Sequence, residues 1–200
     1  SNSGLHNFLV SIGAVKRSKK AKSSKAPSQN QTPATNVTNP TPTDSKSLVV
    51  YFSMSGQTQR AAEEIQRLTN SNIFRIQAAD PYPTTYDSYA QRGDNERRNN
   101  IHPAIRGTIL NWDQYSTIYV GFPTWWQQPP MIIHTLFDQY NFSGKTIVPF
   151  TTSMSTPMSA SMPYIRQMAA PYNATVLNGY RYTGDNAGLR TWLQGLNLIK

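Results

Sequence analysis

From residue 48 onward, short apolar runs alternate with longer segments in which apolar residues recur every three or four positions. Short apolar runs are typical of strands covered on both faces, and the periodic segments are typical of amphipathic helices. In residues 57–70, for example, Ala61, Ala62, Ile65 and Leu68 form one apolar stripe. The pattern predicts strands at 48–52, 72–78, 116–122, 146–152 and 175–180, and helices at 57–70, about 130–140, 158–170 and 186–198.

Strands that alternate with helices indicate the α/β class, with a parallel sheet and right-handed crossovers. Such sheets bind ligands beyond the carboxyl ends of their strands. The loops that follow the predicted strands are therefore the first places to look for a functional site.

Residues 1–47 differ in composition from the rest of the chain. They hold 11 hydrophobic residues against 64 in the following 153, and they carry +6 of the net charge of +9. A segment so poor in apolar residues cannot offset the entropy lost on folding. We therefore expect a disordered basic and Thr/Pro/Asn-rich tail at 1–47 and one folded domain at 48–200.

The basic residues of the tail have two interpretations. They form a solvated tail, or they lie against anionic lipid beside a membrane tether in sequence that precedes Ser1. The apolar stretch at 5–15 is too short to span a bilayer. An extracytoplasmic, tethered location and a cytoplasmic one both stay open. Because the folded part carries only +3, we expect no specific binding of nucleic acid.

The sequence excludes several kinds of chemistry. It has no cysteine, which excludes disulfides and Cys-ligated metals. The three histidines, His6, His102 and His134, are too far apart for a metal-binding motif, so we expect no metal. No Ser-His-Asp order with a nucleophile elbow is present, and we predict no catalytic side chain.

The loop after the first predicted strand has the composition of an anion site. Residues 53–58 contain three hydroxyl side chains and Gly56, and they lead directly into the first predicted helix. Gly56 permits a positive φ that turns backbone N–H groups inward, and the first helical turn adds further donors. The loop has no Lys or Arg, so it is not a P-loop, and it lacks the three glycines of a dinucleotide site. It fits a phosphomonoester held by amides and hydroxyls, with an ordinary helix N-cap as the alternative.

The loop after the third predicted strand carries two adjacent tryptophans, Trp125 and Trp126, flanked by prolines. Adjacent side chains do not easily enter the same core, so we expect at least one indole to cover a planar ligand. Packing of both over the following helix is the alternative. The loop after the fourth predicted strand supplies hydroxyls, amides and Met thioethers, which is a weaker signal.

These loops resemble those of the flavodoxin-like family, in particular flavodoxins with a Trp-Trp flavin loop. The resemblance covers about residues 47–200 and depends most on Ser55-Gly56-Gln57-Thr58 and on Gly121-Phe122-Pro123 before Trp125-Trp126. It implies a three-layer flavodoxin-like fold, with a five-stranded parallel sheet in the order 2-1-3-4-5, helices on both faces, and FMN at the switch point. The FMN-binding residues implied are Ser53, Met54, Ser55, Gly56, Gln57 and Thr58 near the phosphate, Pro123, Thr124, Trp125 and Trp126 near the isoalloxazine ring, and Thr152, Ser153 and Met154 in the third loop.

The charges near such a ring bear on the reaction. The sequence has no acidic residue between Asp138 and Asp185 and none in the Trp-Trp loop, whereas a one-electron carrier gains from acidic residues around its flavin. We therefore expect electron transfer by a two-electron NAD(P)H-dependent oxidoreductase of the quinone reductase type, with a nicotinamide donor or a redox partner protein.

Two other functions are possible. The first is a one-electron carrier flavodoxin. The second is a tethered flavodoxin-like binding module that has lost FMN. Two departures from the family pattern favour the second, because Gln127 stands where relatives usually have glycine and residues 153–158 contain no glycine, whereas the intact loop at 53–58 opposes it.

Residues 80–105 are an insertion that we expect beside the same site. Tyr82, Tyr86 and Tyr89 recur at helical spacing and are expected to face the core. His102 is expected near the flavin ring or exposed, and His134 on a helix beneath the Trp-Trp loop. We expect a solvated face from the charged residues Arg92, Asp94, Glu96, Arg97 and Arg98.

Overall fold

In the computed structural model, which describes residues 46–200, strands and helices alternate along the chain. The strands are β1 (Ser47–Tyr51), β2 (Asn72–Arg75), β3 (Thr117–Pro123), β4 (Thr146–Thr152), β5 (Thr175–Val176) and β6 (Tyr180–Tyr182). The helices are α1 (Gln57–Thr69), α2 (Tyr86–Arg98), α3 (Met131–Gln139), α4 (Met162–Ala169) and α5 (Asn186–Gly195), with 3₁₀ turns at Trp112–Gln114 and Met158–Ala160.

The strands form one parallel sheet in the order β2-β1-β3-β4-β5, and β6 also pairs with β4. β1 lies between β2 and β3, with Val49 opposite Ile73 of β2 on one side and opposite Tyr119 of β3 on the other. The order 2-1-3-4-5 and the α/β class predicted above are confirmed. The switch point between β1 and β3 opens a crevice at the carboxyl edge of the sheet.

Two apolar cores cover the two faces of the sheet. Alternate residues of one strand enter different cores, as Val50 and Val49 of β1 do, because successive side chains of a strand point to opposite faces. One core joins the sheet to α2, α3 and α4, and the other joins it to α1 and α5. β1, β3 and β4 are apolar over most of their length because both of their faces are covered.

The second strand is shorter than the sequence predicts. β2 ends at Arg75 rather than at Ala78, because β1 ends at Tyr51 and offers no further partner beyond the bond from Ile76 N to Tyr51 O. The following residues turn instead to a segment of the insertion, where Ala78 and Ile105 form an antiparallel bridge.

The predicted strand at 175–180 consists of two short pieces, β5 and β6, that pair with different parts of β4. Along this edge of β4, Lys145 O accepts a hydrogen bond from Thr175 N and Ile147 O accepts one from Leu177 N. By the same alternation, Pro149 faces the strand that contains Thr175 and Leu177. Pro149 has no N–H to donate, which interrupts the ladder at that point. Gly179 passes so close to it that an added Cβ would lie 2.9 Å from Pro149 O.

The insertion at 80–105 forms α2 and packs on the sheet. Tyr82 and Tyr89 are buried and Tyr86 is half-buried, as expected from their spacing. The expectation of a solvated charged face is wrong for Glu96, which is only 3 % exposed. Glu96 accepts hydrogen bonds from Tyr82 Oη and Arg92 Nε, both at 2.7 Å, and Arg92 also covers the Tyr82 ring. This pairing is what allows the carboxylate to be buried.

The predicted tail at 1–47 lies outside the described residues except for Lys46 and Ser47, and Ser47 is the first residue of β1. Among residues 46–200, no helix has the length and apolar character needed to cross a membrane.

Candidate functional site

Three of the predicted loops meet at the carboxyl edge of the sheet and line a cavity of about 320 Å³. This size lies at the lower end of the range of about 300–1,000 Å³ that small-molecule sites occupy. The lining residues are Ser55 and Gln57 at the entry to α1, Pro123 at the end of β3, Thr152, Ser153 and Met154 at and after the end of β4, and Tyr182 and Thr183 at and after the end of β6.

The β1–α1 loop is folded as an anion cradle. Gly56 has a φ of 90°, the positive value that the sequence analysis anticipated, and nothing lies within 4 Å of where its Cβ would be. Ser53 Oγ accepts weak bonds from Gly56 N at 3.2 Å and Gln59 N at 3.4 Å. The N–H groups of Ser55, Gln57 and Thr58 make no hydrogen bond within the described part of the chain. Three free donors at the positive end of a 13-residue helix form an arrangement that attracts an anion.

Hydroxyl pairs tie this loop to the ends of the neighbouring strands. Thr58 Oγ1 and Thr152 Oγ1 share a buried hydrogen bond of 2.8 Å, and Thr124 Oγ1 and Thr151 Oγ1 share one of 2.7 Å. The Thr58 hydroxyl is therefore engaged within the protein, and only its backbone N–H is left to contact a ligand. These links fix the three loops relative to one another without using a charged group.

A cation reaches the cradle from β2. Arg75 Nη2 donates to Ser53 O and Arg75 Nη1 donates to Gln59 Oε1, both at 3.2 Å. The loop itself contains no Lys or Arg. Arg75 could not be predicted from the loop pattern, because it lies 17 positions after Thr58. Only the pairing of β2 with β1 brings the two segments together.

Trp125 points into the core of the protein and does not line the cavity. Its side chain is 3 % exposed, it lies nearly parallel to the Tyr89 ring, and it meets the rings of Phe52 and Tyr82 edge-on. Trp126 is half-buried, and its Nε1 donates to Ala90 O at 3.3 Å. Both indoles thus contact α2 or the segment before it, whereas the packing alternative named the helix that follows the loop.

The Trp-Trp loop is a tight hairpin with two left-handed residues. Trp126 and Gln127 have φ values of 52° and 63°, and Trp125 and Gln128 exchange backbone bonds of 3.0 and 3.1 Å. This is the geometry of a two-residue type I′ turn, which favours Asn-Gly at its centre. Glycine would meet this backbone requirement without strain, and Gln127 meets it at the cost of strain. The Gln127 side chain is exposed and does not line the cavity.

The structure thus places the implied FMN residues in three groups. Those that line the 320 Å³ cavity are Ser55, Gln57, Pro123, Thr152, Ser153 and Met154. Ser53 and Met54 line a separate cavity of about 300 Å³ on the β2 side of the loop. Gly56, Thr58, Thr124, Trp125 and Trp126 line neither.

Sequence reasoning missed two lining residues, Tyr182 and Thr183. Tyr182 is the last residue of β6 and Thr183 follows it, and the predicted strand ended two residues earlier, at 180. One signal could have found them: ligands bind beyond the carboxyl ends of the strands in such a sheet, so the residues after the fifth predicted strand were also candidates.

A larger cavity of about 710 Å³ lies between α2, α3 and α4, and His102 and His134 are among its lining residues. His102 and His134 stack with ring centroids 4.9 Å apart, and His102 Nδ1 bonds Asp138 Oδ2 at 2.6 Å. His134 Nε2 is buried and has no hydrogen-bond partner in the described residues. Burial, with the charge of His102 as a second cause, holds the pKa of His134 below its ordinary value. His134 does lie on the helix after the Trp-Trp loop, and neither histidine lines the 320 Å³ cavity.

Comparison with known proteins supports the same fold. The sequence model of the family described as Flavodoxin matches residues 46–194. A crystal structure of a protein from Bacteroides eggerthii, classified as a flavoprotein, is 29% identical, with a TM-score of 0.69, over 78% of this chain and 99% of that one. A second such protein, from Bacteroides uniformis, is 30% identical, with a TM-score of 0.67, over 74% of this chain and 97% of the other.

A flavoprotein from Lactobacillus acidophilus, solved in complex with FMN, is 24% identical, with a TM-score of 0.61, over 74% of this chain and 97% of the other. No curated protein matches the sequence.

The strained turn gives the first prediction. Gln127→Gly removes the left-handed strain of about 1–2 kcal/mol, less the extra backbone freedom that glycine has in the unfolded chain. We expect the free energy of unfolding, measured with urea, to rise by about 0.5–1 kcal/mol. Gln77→Gly is the matched control, because Gln77 is exposed, irregular and outside the left-handed region, and it should lose stability. If the Gln127→Gly protein is no more stable than the wild type, the claim that Gln127 is strained is wrong.

The buried histidine gives the second prediction. Because the folded-state pKa of His134 lies below the unfolded value of about 6.5, the unfolded chain takes up a proton first as the pH falls. His134 should thus leave stability unaffected above about pH 6.5 and lower it progressively below that value. Urea unfolding between pH 7.5 and 5 should show a shallower acid loss for His134→Gln than for the wild type. Parallel curves would contradict the pKa direction.

Proposed function

This chain belongs to the flavodoxin family, and we propose that it binds FMN in the 320 Å³ cavity and acts as a two-electron, nicotinamide-dependent oxidoreductase. Ser55 and Gln57 line that cavity, and their backbone N–H groups, together with that of Thr58 in the first turn of α1, carry the proposal because they have no acceptor within residues 46–200. FMN supplies the redox chemistry when bound, and the protein holds it, sets the charge around it and controls access.

The loop fits the phosphate of FMN. Within the described part of the chain, the backbone N–H groups of Ser55, Gln57 and Thr58 have no hydrogen-bond partner, and the exposed side chains of Ser55 and Gln57 add donors at the cavity wall. No carboxylate lines this cavity, and an anion there meets no like charge from its walls. The residues present therefore satisfy the charge and hydrogen-bonding needs of a phosphomonoester.

The rest of the cavity suits an apolar ring with polar edges. Pro123 and Met154 give it apolar walls, Tyr182 gives an aromatic one, and Thr152, Ser153 and Thr183 supply polar groups. Met154 is 58 % exposed, which is unusual for a methionine and leaves its polarisable thioether free to cover a flat ligand. The absence of glycine in 153–158 does not close the cavity, since Ser153 and Met154 form part of its wall.

The charges at the cavity favour a two-electron reaction. Its lining contains no acidic side chain, and Arg181 Nη1 donates to Met154 O at 3.0 Å beside it. Reduction adds negative charge to a flavin, and a nearby guanidinium stabilises that charge where carboxylates would oppose it. A dedicated one-electron carrier would require the opposite arrangement. We therefore propose a nicotinamide as the electron donor, rather than a redox protein of low potential.

One observation favours a second candidate. Trp125 is buried in the core and Trp126 Nε1 donates to Ala90 O, so neither of the two indoles expected to cover the ring lines the cavity. A flavodoxin-like binding module that has lost FMN would tolerate that arrangement.

Flavin binding and potential decide between these functions. The purified protein should quench FMN fluorescence at micromolar concentrations or below and stay yellow after desalting. Anaerobic spectroelectrochemistry should show both electrons entering close to the potential of free FMN. Two separated steps, the second far below free FMN, would indicate a one-electron carrier. A colourless protein that never quenches FMN would indicate the binding module.

Two glycine variants test the cradle itself. Gly56→Ala and Gly144→Ala both place a Cβ at a positive φ, 90° and 76°, with no atom within 4 Å, so each should lower stability by about 1–2 kcal/mol. Gly144 lies before β4 and does not line the cavity. Only Gly56→Ala should weaken FMN binding, by about tenfold or more, because it disturbs the loop that carries the donors. Equal affinities in the two variants would contradict the cradle.

A further inference from the structure

We propose that Arg75 is a positioning residue for the phosphate loop, and that it makes the site prefer phosphorylated flavin over riboflavin. This inference rests on the proposed binding of FMN. It assigns the cation that the loop's own sequence lacks to a residue at the end of β2.

The contacts of Arg75 join three elements. Its guanidinium lies between the β1–α1 loop, through Ser53 O, and the first turn of α1, through Gln59 Oε1. Gln59 is held in turn by its bond from Nε2 to Glu63 Oε1 at 2.8 Å. One side chain from β2 thus fixes the entry and the exit of the loop that surrounds Gly56.

The bond to Ser53 O has a direct effect on the loop backbone. In a trans peptide the C=O and N–H groups point in opposite directions. A Ser53 carbonyl held by Arg75 therefore directs the Met54 N–H to the opposite side of the loop. Without Arg75 this peptide would be free to rotate, and its carbonyl dipole could turn towards the anion. The guanidinium prevents that rotation and keeps the negative end of the dipole occupied.

The charge of Arg75 is not neutralised by a carboxylate. Within residues 46–200 it forms no ion pair, whereas Arg67, Arg92, Arg97 and Arg98 all do. Its positive charge also acts on Tyr51 of β1, where it opposes the burial that raises the pKa of that phenol. The charge therefore reaches the centre of the sheet edge at which the phosphate would bind. It gives the dianion of FMN an attraction that uncharged riboflavin does not share.

A second arginine beside it provides a matched control. Residues 77–79 pair with 104–106 through bonds from Ala79 N to Ala104 O and from Arg106 N to Gln77 O. Because side chains alternate along a strand, Arg75, Gln77 and Arg106 fall on the same face of this extension. Arg75 and Arg106 both line the 300 Å³ cavity, but Arg106 is exposed, and within residues 46–200 its side chain makes no hydrogen bond to the loop. Replacing Arg106 removes one positive charge from the same cavity but leaves the hydrogen bonds of Arg75 to Ser53 and Gln59 in place.

The test compares FMN and riboflavin binding by fluorescence quenching in wild type, Arg75→Gln, Arg75→Lys and Arg106→Gln, at 0.15 M salt. We expect Arg75→Gln to weaken FMN binding by about tenfold or more, as loss of charge-assisted bonds does, and to leave riboflavin affinity within about twofold. Arg75→Lys keeps the charge but not the two-armed contact, and should fall between. Arg106→Gln should change FMN affinity by no more than about twofold, because an exposed charge is screened.

A loss of riboflavin affinity equal to the loss of FMN affinity in Arg75→Gln would overturn the proposal, since it would show a general disturbance of the site. Equal effects of Arg75→Gln and Arg106→Gln would also overturn it, since charge alone would then suffice. If Arg75→Gln does not fold, as judged by circular dichroism, Gln59→Leu removes one anchor only and should lower the FMN-to-riboflavin preference by about threefold. Wild-type protein that binds neither flavin would end the proposed function as well, so the two failures are distinguishable.

Discussion

Backbone N–H groups that have no acceptor within residues 46–200 are the constraint on which this site depends. A helix leaves its first N–H groups unpaired, and here the chain enters α1 through a left-handed glycine that directs the N–H groups of Ser55, Gln57 and Thr58 away from any internal acceptor. Donors of this kind are costly to leave unsatisfied unless water or a ligand reaches them. Their position beside a cavity at the switch point of the sheet makes an anionic ligand the natural acceptor.

The surrounding residues keep that arrangement fixed. The Thr58–Thr152 hydroxyl pair links the start of α1 to the end of β4, and the Thr124–Thr151 pair links the end of β3 to β4. Arg75 supports the β1–α1 loop from the β2 side. Trp125 fills the space between β1 and α2, so that the hairpin after β3 is held by packing. The site is therefore built on rigid elements, and the charge near it is positive on both sides, from Arg75 and Arg181.

Much of the fold could be predicted because the signals were local. The apolar runs of β1, β3 and β4 and the stripe on α1 lie within single segments, and the phosphate loop follows from Gly56 and its neighbours alone. The orientation of Trp125, the burial of Glu96 and the contact of Arg75 could not be predicted in this way. Each depends on a partner far along the chain, such as Tyr89, Tyr82 or Ser53, and single-segment patterns carry no information about those partners. Pro149 is an intermediate case, because its missing N–H and the strand at 175–180 were visible in the sequence, but the register that places the two side by side was not.

Backbone amide NMR gives the most direct test of the central claim. In ¹H–¹⁵N spectra of the protein, addition of FMN should shift the amide protons of Ser55, Gln57 and Thr58 strongly downfield, as new hydrogen bonds to a dianion do. Riboflavin, which has no phosphate, should leave them nearly unchanged. FMN that binds without moving these three amides, or riboflavin that moves them equally, would contradict the account.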